Sequence, residues 1–258
     1  MQLAFHCLSV YPHMMRASKG SEEETDGPRV DPWSSDSTIS EFLLRACHDL
    51  RTPLRAILAH AELLVRNSAA PRDGDFETQL NFIVEGARRI DLLAEGLTSY
   101  SIALRIEGSS FRPAPMDVLL RSALARIAKE VRENDAEVTH DGLPRVTGDP
   151  ERLAQVFENL LLNAVRHRGA AAPRVHIAAE KQPSAWLFTV RDNGPGVEAA
   201  YLERIFKPFE RLHAKGSAAP GLGLAVSREI IRKHGGQLWV ESEVGSGSSF
   251  RFTIPAAD

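Results

Sequence analysis

Cysteine is scarce: Cys7 and Cys47 are the only two in 258 residues. Thiols so few and so differently placed exclude a disulfide framework and fit a reducing compartment, with Cys47 packing as a small hydrophobe. Long apolar runs are missing as well. No stretch approaches the roughly 20 apolar residues that cross a bilayer. The opening Met1-Gln2-Leu3-Ala4-Phe5-His6-Cys7-Leu8-Ser9-Val10 lacks a basic flank and meets Tyr11-Pro12-His13 before a signal core can form. The expectation is a cytoplasmic chain with no signal peptide and no membrane span. Nor does one sign of charge dominate: the formal net charge is −3 with 25% charged residues, so nucleic acid is not an expected partner. This length suits two modest domains, each with its own core.

From 16 to 40 the residues are polar and acidic with scattered Gly, Pro and Ser, and offer little apolar surface to offset ordering entropy. Residues 1–36 are therefore read as a disordered arm. A first helix is predicted from near Ser37 to Ser40, where hydroxyl residues offer caps, to about Arg66. Its apolar residues recur at Leu43, Cys47, Leu50, Leu54, Ile57, Ala61 and Leu64, the alternating four-three spacing of a coiled-coil seam. Asn67 to Gly74 reads as the turn of a helical hairpin. The returning helix repeats the spacing at Phe76, Leu80, Ile83, Ala87, Ile90, Ala94, Leu97, Ser101 and Leu104. A lone hairpin buries such seams incompletely, so a homodimeric four-helix bundle is expected, with an intramolecular coiled coil as the alternative.

Within the first helix stands Ala46-Cys47-His48-Asp49-Leu50-Arg51-Thr52-Pro53-Leu54. His48 and Thr52 lie four apart on one face and Asp49 adjoins the imidazole, which groups a nucleophile, a possible base and a possible water-positioning hydroxyl in one turn. A histidine on a bundle helix is more often a solvated residue. Pro53 weighs only slightly toward a functional role, because proline inside a helical pattern removes a donor and bends the helix, a cost that invites a reason.

Gly108 to Pro115 breaks the helical pattern and marks a domain boundary, giving 37–107 and 108–258 as the two domains. A helix from about Asp117 to Asn134 and a strand near Ala136 to Thr139 follow. Asp149-Pro150 reads as a cap followed by proline at the first helical position. In that helix Asn159 and Asn163 share a face from which two amide oxygens can converge on one hard cation, and Arg166 and His167 lie beyond, placed to meet phosphate. Structural amides bonding to a neighbouring loop are the alternative. Two alternating strands, Arg174 to Ala179 and Ala185 to Val190, run into Asp192-Asn193-Gly194-Pro195-Gly196. There an acid can accept a hydrogen bond from an exocyclic amine while close glycines let backbone approach a flat ligand. Ile205 to Leu212 sets Phe206 and Phe209 among basic residues, and His213 to Pro220 suits a lid. Gly221-Leu222-Gly223-Leu224 opens an apolar helix whose backbone amides can face phosphates. Strands near Gln237 to Ser242 and Ser249 to Ile254 close a sheet covered by helices.

The string His48-Asp49-Leu50-Arg51-Thr52-Pro53-Leu54 resembles the phospho-acceptor box of the sensor histidine kinases of two-component systems. The resemblance implies that His48 is phosphorylated, that Asp49 acts as base, and that Thr52 supports dephosphorylation of a response regulator. The later boxes, in their order and spacing, resemble the ATP-binding domain shared by histidine kinases, gyrase, Hsp90 and MutL. The implied fold is thus a dimeric helical hairpin followed by an α/β sandwich of the Bergerat type, and the implied ligands are ATP and Mg2+. By the same resemblance Asn159 and Asn163 hold magnesium, Arg166 and His167 lie near phosphate, and Asp192, Gly194 and Gly196 mark the adenine end. Phe206 and Phe209 match the phenylalanine box, and Gly221, Gly223 and Leu224 the second glycine box. Arg211-Leu212-His213 and His234-Gly235-Gly236 resemble phytochrome-associated kinases. The implied activity is transfer of a phosphoryl group from ATP to His48 and onward to an aspartate of a response regulator receiver domain. One departure stands out: Ala219-Pro220 replaces the usual glycine and small hydroxyl residue before Gly221, stiffening the lid hinge. That departure motivates the alternative of a catalytically weak dimeric adaptor or phosphatase. A gyrase-like or chaperone-like ATPase is disfavoured by the acceptor helix upstream.

Overall fold

A computed structural model describes residues 74–210 and 221–256 together with scattered residues between 44 and 65. The arm at 1–36, His48, Asp49, Thr52, Pro53, the turn at 67–73 and the segment 211–220 with Ala219-Pro220 lie outside the described residues.

Every described residue between 44 and 65 is helical, and the helix α1 spans Gly74–Leu104. Arg51 pairs with Asp91 at 3.5 Å and Glu95 at 3.9 Å, while Glu62 pairs with Arg88 at 3.5 Å, so the two helices run antiparallel. The seam divides in two. Cys47, Leu54 and Ala61 on one helix and Leu80, Ala87, Ala94 and Ser101 on the other, each set spaced by seven, are buried within the chain. Of the intervening set, Leu97 and Leu104 are half-buried, while Leu50, Ile57 and Ile83 are each 51% exposed and Ile90 44% exposed. Among the described residues no helix is long and apolar enough to cross a membrane.

Beyond a short 3-10 turn at Gly108–Ser110, strand β1 (Arg112–Pro115) pairs antiparallel with β3 (Arg145–Gly148). Neither strand is evident in the sequence: β1 carries two prolines, which read as a boundary, and both are four residues long. The single helix expected over 117–134 is two, α2 (Met116–Arg126) and α3 (Ala128–Glu133). The break is at Ile127, which leaves helical geometry at φ −100°, ψ 16° while its side chain stays buried. α3 buries no residue of its own, so the core holds the chain at Ile127 rather than along a continued helix.

α4 (Pro150–Arg166) starts as the sequence requires, with the Asp149 carboxylate accepting from Glu151 N at 3.0 Å and Arg152 N at 3.2 Å and with proline in the first turn. Its apolar face, including Leu153, Phe157, Leu160 and Leu161, is buried. β2 (Glu137–His140), β4 (Arg174–Lys181), β5 (Ala185–Asp192), β6 (Leu238–Glu243) and β7 (Gly247–Pro255) form one sheet in the order β2-β4-β5-β7-β6. β2 runs parallel to β4 and the other pairs are antiparallel. Val175↔Asp192 and Lys181↔Trp186 set the register of the β4–β5 hairpin, leaving Asp192 at the end of its strand. α5 (Gly223–Lys233) packs against both α4 and α1. Phe252 joins helix to sheet, stacked on Phe188 at 4.8 Å and edge-on to Phe157 at 6.0 Å.

Candidate functional site

The outward face of α4 carries Gln155, Asn159, Leu162, Asn163 and Arg166 at helical spacing, and all of them line a cavity of about 810 Å³. The cavity is completed by Asp192, Pro195, Gly196 and Val197 after β5, by Gly221, Leu222, Gly223 and Leu224 at the start of α5, and by Ser248 and Phe250 on β7. His167 and Arg168 border it. The wall also draws on Arg126, Ile127 and Glu130, on Ile205 and Glu210, and on the helical hairpin, where α1 contributes Leu92, Glu95, Gly96 and Ser99.

Asp192 is positioned by backbone. Its Oδ1 accepts from Gly194 N at 2.8 Å and Ser248 N at 3.2 Å, which leaves Oδ2 for a ligand donor. Burial pushes its carboxyl pKa up, partly offset by those two N–H bonds. Gly194 serves through its N–H and is not itself in the lining. Gly196 has φ +75°, and a Cβ there would fall 2.1 Å from the Glu243 carbonyl oxygen, so only glycine lets the loop close against β6.

At the start of α5 no side chain caps the helix, so the first N–H groups and the positive end of the helix dipole can meet phosphate oxygens. Asn159 faces that terminus, with Nδ2 donating to Gly223 O and to Ser227 Oγ, both at 3.1 Å. Its Oδ1 is left over, as a hard cation requires. Among the described residues no three of His, Cys, Asp and Glu stand together as a metal cluster. A cation here would therefore rely on amide oxygens of Asn159 and Asn163 and on oxygens supplied by the nucleotide, the usual habit of Mg2+ at phosphates.

Two arginines of the wall are matched by acids. Arg126 pairs with Glu151 at 2.8 Å and Glu158 at 3.6 Å, and Arg166 stands 3.9 Å from Glu130. The Glu151 hydrogen bond raises the Arg126 pKa, and Glu151 is lowered in turn. Phe206 is buried, edge-on to Phe250 at 6.4 Å, with the Arg228 guanidinium 5.0 Å over its ring. Phe209 does not line the cavity. It adopts φ +65° with an exposed ring, and its N–H donates to Gly221 O at 3.0 Å, tying together the two ends of the segment 211–220.

Sequence reasoning missed Ser248, Ser227, Glu158 and the α1 wall. Ser227, four residues after Gly223, and Glu158, on the face of α4 shared by Gln155 and Leu162, had a helical-face signal; Ser248 and the α1 wall meet the site only through tertiary pairing.

Comparison with known proteins agrees with this geometry. Residues 148–258 match the family model described as histidine kinase-, DNA gyrase B- and HSP90-like ATPase, and residues 38–102 match that of the His Kinase A (phospho-acceptor) domain. Cyanobacterial phytochrome A of Nostoc sp. is 36% identical over 222 residues, which cover 86% of this chain and 29% of that protein. Phytochrome-like protein Cph1 of Synechocystis sp. is 32% identical over 222 residues, covering 86% and 30%. The chain thus spans about three tenths of the length of these curated relatives. The crystal structure of full-length ShkA in complex with AMPPNP is similar at a TM-score of 0.63 and 25% identity, over 85% of this chain and 46% of that one.

Proposed function

The chain belongs to the sensor histidine kinases of two-component systems, and from that membership we propose that it phosphorylates itself on His48 from ATP and relays the phosphoryl group to an aspartate of a response regulator receiver domain. Residues 37–107 serve as the dimerisation and phosphotransfer domain and 108–258 as the ATP-binding domain. The observation that carries the reading is the convergence of Asn159, Asn163, Asp192 and the start of α5 on one cavity whose far wall is α1, the partner of the acceptor helix.

In this reading the Asp192 carboxylate accepts from the adenine amine, and the start of α5 with Arg166 and His167 receives the phosphates. Asn159 and Asn163 would hold Mg2+, which supplies neutralisation of the charge that develops on the phosphates. The bond between the γ-phosphorus and the β–γ bridging oxygen breaks, a nitrogen–phosphorus bond forms at His48, and ADP leaves. Asp49 orients the imidazole and takes its proton. Relay breaks the nitrogen–phosphorus bond and forms an acyl phosphate on the receiver, and Thr52 positions the water that later hydrolyses it. The half-open seam supports a homodimer, with Leu50, Ile57, Ile83 and Ile90 facing a second copy. ATP as substrate supports a cytoplasmic setting for this core.

Incubation with γ-labelled ATP and magnesium tests the reading. Wild type should acquire an acid-labile, alkali-stable label, and His48→Gln should acquire none. Label that survives in His48→Gln would remove His48 as the acceptor.

A further inference from the structure

Ser227 sits on the second turn of α5, wholly buried. Its Oγ donates to Gly223 O, four residues back, at 2.9 Å and accepts from Asn159 Nδ2 at 3.1 Å. The same Nδ2 also donates to Gly223 O. Three groups thus close a ring of hydrogen bonds, and the ring has one sense. Turning the Asn159 amide over would set its oxygen against the Gly223 carbonyl, acceptor facing acceptor, and leave a buried lone-pair clash.

We infer that Ser227 is a positioning residue for the nucleotide site: it locks the Asn159 amide so that Oδ1 is presented to the magnesium that accompanies the phosphates. The inference rests on the proposed role of Asn159 as a cation ligand. Ser227 does not itself line the cavity. Groups that orient a metal ligand from behind contribute about 10- to 100-fold to metal affinity, whereas a merely structural serine would alter folding and leave the metal dependence alone.

The test is binding of a fluorescent ADP analogue to the whole chain, first with EDTA and then across a magnesium series, with thermal unfolding measured without nucleotide. Ser227→Ala should bind the analogue in EDTA within about two-fold of wild type while the magnesium midpoint rises about 10-fold or more. Ser227→Thr keeps a hydroxyl able to reach the carbonyl four residues back in a helix and should restore the midpoint. Ser227→Cys, close in volume with only a weak donor, must show the same rise as alanine and serves if alanine unfolds the domain. Asn159→Ala separates the two levels of the argument. If Asn159→Ala shifts the midpoint and neither Ser227→Ala nor Ser227→Cys does, the inference about Ser227 is wrong and the cation role of Asn159 stands. If none of the three shifts it, the cation role falls and the inference with it. Equal loss with and without magnesium in the serine variants would mean that Ser227 supports the whole pocket, which also overturns the inference.

Discussion

Asp192 shows how a single carboxylate can be given a direction. With Oδ1 held by Gly194 N and Ser248 N, the amide of Asp192→Asn must keep its oxygen on those donors and turn its NH2 toward the ligand. An acceptor for the adenine amine becomes a donor that suits the guanine carbonyl. Loss of a hydrogen bond to a charged group is worth roughly 1.5–3 kcal/mol, so ATP affinity should fall by roughly 10- to 100-fold while GTP affinity holds or rises. Nucleotide competition measures both, and an unchanged ATP-to-GTP ratio would refute the assignment. The pH dependence has two opposed parts. Because burial raises the folded pKa, ionising Asp192 costs the folded state, and its stability contribution is lost as pH rises through that pKa. ATP binding needs the carboxylate and should instead weaken as pH falls, starting above the usual carboxylate value of about 3.9.

The residue that caps α4 also makes a contact far away in the chain. Asp149 caps the helix with its side chain, and its own N–H donates to His234 Nε2 at 2.9 Å. That nitrogen must therefore be unprotonated, and Nδ1 donates to Ile230 O at 2.7 Å. The ring stacks on Phe111 at 4.4 Å between centroids. Burial lowers the His234 pKa, against smaller raising effects from the Ile230 carbonyl and Asp149. In the unfolded chain the imidazole takes a proton near pH 6.5, before the folded one does. The stability it supports is present above that pH and is lost as pH falls through the lowered folded pKa. The unfolding temperature should drop on acidification below about pH 6.5, and more shallowly in His234→Gln, whose amide can accept from Asp149 N but cannot titrate. Parallel curves for the two proteins would show that another group governs the acid limb.

Across the whole molecule, the hairpin walls the cavity and, in the proposed function, meets a second copy. The exposed half of the seam bears on the latter. Fully burying an isoleucine is worth roughly 1.5–3 kcal/mol, and Ile83 and Ile90 are already about half covered. Ile83→Glu with Ile90→Glu removes both from each of two copies, so the dimer should weaken by about 100-fold or more, read by sedimentation at micromolar concentration. Nucleotide binding should persist, since neither residue lines the cavity. A dimer unaffected by both changes would place the interface elsewhere.

Much of this was written locally. The four-three periods of the hairpin, the Asp149-Pro150 start, the shared face of Asn159 and Asn163, and the acid at the end of β5 all follow from residues within one or two turns of each other, so the sequence by itself determined them. The tertiary structure decided what local periodicity cannot carry. Which half of each seven-residue repeat is covered depends on the other helix: the covered half is mostly small (Cys47, Ala61, Ala87, Ala94, Ser101) and the open half large (Leu50, Ile57, Ile83, Ile90), a difference the four-three period alone does not interpret. The structural-amide alternative for Asn159 is met by its nitrogen, which bonds Gly223 and Ser227, 64 and 68 residues onward, while the cation role stays a proposal for its oxygen. β1 and β3 are too short, and β1 too rich in proline, to form without each other. Ser248 reaches Asp192 across 56 residues of chain only because β7 lies beside β5. Hydrogen-bond partners so distant are chosen by sheet order and helix packing, and these are settled only when the core closes.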